Sequence, residues 1–81
     1  TIFPFALDAG SAATRLSIFA VDGRLVWRSK MLENLSPRTY VQTWNGTNQQ
    51  GETVGSGIYY GVLEADGRRM MRSLAVTRGG E

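Results

Sequence analysis

Apolar and polar residues alternate along most of this chain, glycine-bearing turns interrupt the alternation, and nowhere do apolar residues recur at helical spacing for three turns. A period of two sends successive side chains to opposite faces of an extended backbone, so the pattern calls for strands that each bury one face. Two Asp-Gly pairs, Asp22-Gly23 and Asp66-Gly67, stand between alternating runs as hairpin turns do. The chain reads as all-β.

With 81 residues and 8.9 kDa there is material for one core, and the whole of 1–81 is taken as a single domain. Hydrophobic residues at 42% and charged residues at 20% lie near the globular norm, so the chain is expected to fold. Cys and His are both absent. That removes disulfides, thiol nucleophiles, the usual zinc ligands and imidazole chemistry, and neither a catalytic residue nor a cofactor or metal is assigned.

Nine basic residues, all but Lys30 being arginine, face seven acids; the net charge of +2 is too small to argue for nucleic acid. Arg68, Arg69 and Arg72 cluster beside the second turn, where charge solvates a strand end and discourages edge pairing. No apolar run approaches the ~20 residues of a membrane span, and no signal peptide is evident. The start at Thr1 reads as a processed chain or part of a longer one.

Strand by strand, Ile2, Phe3, Phe5 and Leu7 open the chain, with Pro4 confining that strand to an edge. A turn follows at Ala9, Gly10 and Ser11. Residues 13–21 and Leu25, Val26 and Trp27 form the first hairpin. Its register has two solutions. A two-residue turn pairs Ile18 with Trp27 and puts the indole inside. A three-residue loop over Val21, Asp22 and Gly23 pairs Phe19 with Leu25 and turns Trp27 outward.

Residues 31–38, ending near Pro37, are a connection with at most a short strand, and 39–44 alternate with Tyr40 and Trp44 on one side. Gly46, Gly51, Gly55 and Gly57 mark residues 45–57 as a long, tightly folded loop. A second hairpin over 58–65 and 68–78 pairs Tyr59 with Leu74 and Leu63 with Met70 on its inner face, leaving Ile58, Tyr60, Val62 and Met71 outside. Six or seven short strands at this spacing suggest a sandwich, closed by Tyr40, Trp44 and Tyr59.

The run Ile18, Phe19, Asp22, Gly23, Arg24, Leu25, Val26, then Tyr40, Trp44, Asn45, Gly46, then Gly51, Val54, Ser56, Gly57, Ile58, Tyr59, Tyr60 resembles the immunoglobulin-like domain of the flagellar hook-capping protein family. Relatives of that domain include C-terminal sorting domains of secreted bacterial proteins. The resemblance implies an immunoglobulin-like (fibronectin type III-like) antiparallel β-sandwich of about seven strands, extracytoplasmic and bacterial. It also implies that Val26 is the buried position. Asn45 and Asn48 stand where the family tends to carry Asp, and the family's frequent Pro-Asn-Pro opening is missing, which counts against a sorting signal.

With Val26 inside, Phe19, Leu25 and Trp27 make an outward apolar cluster on one sheet, and Ile58, Tyr60, Val62 and Met71 another on the opposite sheet. Contiguous exposed apolar area usually marks a contact site, so these seven residues are the candidate protein interface. The expected role is a non-catalytic module of an exported or envelope-associated assembly, docking on other protein subunits. Stacking of Tyr60 and Trp27 on a glycan or cell-wall ligand, and a sorting tag, are the alternatives.

Three other chemistries are weaker. The loop 45–52 has one carboxylate, Glu52, too few for calcium; hydrogen bonding of Asn45 and Asn48 to the backbone explains it better. Asn34 with Ser36 and Asn45 with Thr47 match the glycosylation triplet, as chance sequences do. Nothing places two of Asp8, Glu33 and Glu64 in an apolar cleft, as acid/base catalysis requires.

Overall fold

The structure is a computed structural model, and it describes residues 2–7 and 11–77. The turn expected around Ala9 and Gly10 and the Asp8 carboxylate lie outside the described residues. Seven strands follow in order: β1 Ile2–Ala6, β2 Ser11–Ala20, β3 Leu25–Arg28, β4 Leu32–Leu35, β5 Thr39–Thr43, β6 Gly57–Ala65 and β7 Arg68–Val76. β1 pairs with β5 as one antiparallel layer. The other layer has the order β3-β2-β6-β7, with β4 continuing along the same flank of β2 as β3. The result is an all-β, immunoglobulin-like sandwich. No helix among the described residues is long and apolar enough to cross a membrane.

The core lies between the layers and is assembled by alternation. Phe3 and Phe5 come from β1, Leu16 and Ile18 from β2, Leu63 from β6 and Val76 from β7, with Trp44 just beyond β5. Tyr40 and Tyr59 pack against this cluster. Phe5 stacks on its cross-strand partner Tyr40 at 5.5 Å, and Tyr59 meets the Trp44 indole edge-on at 5.6 Å. The first pair lies within the β1–β5 layer, and the second joins that end of the sandwich to β6 of the larger sheet.

The second hairpin has the register the sequence indicates, with Tyr59 opposite Leu74 and Leu63 opposite Met70. Asp66 and Gly67 both take positive φ, 49° and 84°, the pairing that a two-residue turn requires. Asp66 also fastens the turn to β2: its Oδ1 accepts from Ala13 N at 3.0 Å, and its N–H donates to Ala13 O.

The first hairpin contains both registers. At the turn, Gly23 (φ 88°) closes a three-residue loop, and Phe19 pairs with Leu25. A bulge then intervenes, Val26 becomes the extra residue, and Ile18 pairs with Trp27. Val26 and Trp27 therefore both pack on the core. The expectation that Trp27 points outward in the three-residue register is corrected: the bulge returns the indole to the inside.

Ser29 repairs the gap between β3 and β4. Its N–H donates to Leu16 O at 2.8 Å, and its buried hydroxyl accepts from Leu16 N at 3.0 Å. Ser29→Ala leaves the Leu16 N–H buried without a partner, and we expect it to cost about 1–3 kcal/mol. Urea unfolding with an unchanged m-value and a lower midpoint is the expected result.

Candidate functional site

Pairing of β2 with β6 determines which residues share the outer face of the larger sheet. Phe19 lies opposite Tyr60 and Ser17 opposite Val62; across the next ladder, Val62 lies opposite Met71 and Ile58 opposite Ala75. Leu25 extends the Phe19 row onto β3. The two apolar clusters expected on opposite sheets thus belong to one sheet, and all but Trp27 form one surface. The correction has a simple cause: β2 and β6 are remote in sequence, and no local pattern states that they pair.

Exposure across this face is uneven. Met71 is 67% exposed, Ile58 48% and Leu25 41%, whereas Phe19 and Tyr60 are half-buried. Val62 is buried, at 4%, although it lies outside the core cluster. It forms the floor of an open groove of about 270 Å³ whose walls include Phe19, Tyr60, Met71, Val21 and Arg69. The face therefore has a concave apolar centre and a raised rim, and Val62 acts as floor where an exposed contact was expected.

Charge borders that centre. Arg15, Glu64 and Arg69 form one row across three strands. Arg28 lies over Ser17, its Nε donating to Ser17 Oγ at 3.2 Å. Arg15 Nε is buried and has no hydrogen-bond partner among the described residues. The surface is thus apolar in the middle and mainly cationic at one border.

The glycine-rich loop does structural work at the end of the sandwich. Asn48 Oδ1 accepts from the N–H groups of both Gln50 and Glu52 at 3.0 Å, and its Nδ2 donates to Glu52 Oε1. Thr47 Oγ1 donates to Asn45 Oδ1, while Trp44 Nε1 donates to Thr47 O at 2.8 Å. Asn48 serves the backbone as expected, and Asn45 serves the Thr47 hydroxyl. Among the described residues no group of three His, Cys, Asp or Glu gathers as metal ligands would.

The missed feature of the site is the β7 rim. Its signal was in the arginines beside the second turn, which read only as a solvated strand end. Arg72 does more: it lies over the Phe3 ring at 4.9 Å, and its Nη1 donates to Pro4 O at 2.7 Å. It ties β7 to β1 from the inner face of the sheet.

Comparison with solved structures finds FlgD from P. aeruginosa, the hook-capping protein, at a TM-score of 0.72 and 18% sequence identity. The alignment covers 90% of this chain and 60% of that one, so the chain spans less than two thirds of the FlgD structure's length. The chain has the fold of that FlgD domain, as its residue pattern implied. No family model matches the sequence, and no curated protein matches it.

Proposed function

We propose that this chain is a non-catalytic module of an exported or envelope-associated bacterial assembly, docking on another protein subunit through the outer face of its larger sheet. The observation that carries this reading is the continuous apolar surface of Leu25, Phe19, Tyr60, Met71 and Ile58 around the Val62 groove. Covering this apolar area takes it out of water, which favours association against the side-chain entropy that ordering costs. The likeness to FlgD supports an assembly role and extracytoplasmic placement by analogy of fold. The glycan alternative loses one of its two rings, because Trp27 packs on the core and does not share the face of Tyr60.

Photo-crosslinking in native material tests the reading. A crosslinker at Met71 is expected to capture a defined subunit, and one at Val41, exposed on the other layer, is expected to capture none. Equal capture from both positions, or capture from Val41 alone, overturns the docking face. Saturable binding on a glycan array that Tyr60→Ala abolishes supports the alternative.

A further inference from the structure

We infer that the free edge of β7 is a strand-addition site for an extended partner segment carrying an acidic residue, which pairs antiparallel with β7 and sets its carboxylate against Arg69. This proposal concerns the rim of the sheet and stands whether or not the adjoining face is covered.

The geometry follows from the second turn. In a two-residue hairpin the residues flanking the turn, Ala65 and Arg68, exchange both hydrogen bonds, and hydrogen-bonded pairs then recur every second residue. Met70, Arg72, Leu74 and Val76 therefore direct their backbone groups to β6. Arg69, Met71, Ser73 and Ala75 direct theirs away from the sheet, where no strand of the described residues lies. The same four residues place their side chains on the outer face, so an added strand would extend the apolar surface as it completes the ladder.

The other rims are obstructed. Gln49 Oε1 accepts from Arg28 N at the edge of β3. β4 has four residues and an Asn34 at φ 55°. β1 contains Pro4, whose carbonyl is taken by Arg72, and β5 has only five residues. β7 runs nine residues in unbroken register with neither proline nor glycine. Such an edge pairs with whatever suits its side chains.

Charge selects the occupant. β7 carries three arginines and no acid. Arg72 is engaged with Phe3 and Pro4, while the side chains of Arg68 and Arg69 make no hydrogen bond or ion pair among the described residues. A second copy adding antiparallel at this edge would bring six arginines into one ladder, and like charges across strands are destabilising. An acidic segment gains where a copy loses. Opposite Met71, beside the groove, the added strand would place an apolar side chain.

The probe is a synthetic end-capped peptide alternating valine and threonine, with valine set against Ala75 and Met71 and glutamate against Arg69. Titrated into the isotope-labelled 81-residue chain, it is expected to bind saturably, to shift β7 amides, and to slow exchange at Arg69, Met71, Ser73 and Ala75. Replacing its glutamate by lysine should weaken binding about three- to tenfold, and Arg69→Glu should reverse the preference. A peptide N-methylated at the residues facing β7 should not bind. No saturable binding, equal affinity for the two peptides, or shifts at Phe19 and Tyr60 without protection of the four outward amides would each overturn the proposal. The last of these leaves the docking face intact, so the two readings fail separately.

Discussion

Trp44→Ala is expected to lower stability by about 3–5 kcal/mol, the usual cost of emptying a buried tryptophan site. Domains of this size hold only roughly 5–15 kcal/mol, so the substitution removes much of the folded state's margin. Trp44 is 1% exposed and is the largest fully buried side chain. Its indole fills the space between layers at the end where the long loop begins, and its N–H satisfies Thr47 O. The sandwich measures 41 × 23 × 20 Å, too slender to supply other side chains to refill the hole. Thermal unfolding followed by circular dichroism should show the midpoint falling by more than about 12 °C. Trp44→Phe separates the two contributions, retaining most ring contact while leaving Thr47 O to find water. A midpoint within a few degrees of wild type in the alanine variant would mean that Trp44 does not hold the layers together.

Gly61→Ala should be the second large effect, despite adding a single methyl. Gly61 lies on the inner face of β6, where a Cβ would stand 2.8 Å from Phe3 Cε2, 3.0 Å from Cδ2 and 3.3 Å from a Leu74 methyl. Its backbone is not in the left-handed region, so the obstacle is space. Phe3 cannot yield easily, because Arg72 covers its ring and is itself bonded to Pro4 O. Overpacking of this kind costs about 1–3 kcal/mol. In a Phe3→Leu background the same change should cost at least about 1 kcal/mol less, since the contact is shared between the two residues. Denaturant midpoints of the four proteins in the cycle provide the check, and additive costs would show that the strain lies elsewhere.

The register of the second hairpin was legible in the sequence, because Asp66 and Gly67 suit a turn with two positive φ angles and that turn leaves one pairing, while its strands, expected over 58–65 and 68–78, are Gly57–Ala65 and Arg68–Val76. The first hairpin was not. Its sequence favours one pairing near Gly23 and another near Trp27, and the bulge at Val26 satisfies both. Hydrophobicity could not choose between them, since Val26 and Trp27 are both apolar and both reach the core. Trp44, Tyr40 and Tyr59 were legible as the closing aromatics because alternation places them on inner faces.

The candidate face was legible in its members but not in its assembly. Phe19 and Tyr60 are cross-strand partners separated by about half of the chain, a contact with no local signature. Val62 was named as exposed because its strand position is outward, yet its neighbours around the groove bury it. Orientation can be read from alternation; shelter by neighbouring side chains cannot.

The ladders of the two layers differ in how far apart in sequence their partners lie. The β6–β7 and β2–β3 ladders close over a few residues, while β1 reaches β5 only after the chain has passed through β2, β3 and β4. Loop closure at that distance is entropically costly and slow. The β2–β6 ladder joins partners 39 to 51 residues apart and the β1–β5 ladder partners 33 to 41 apart, so both closures are expected to follow the two hairpins, and Leu16, Ile18 and Leu63 stay bare until the layers meet.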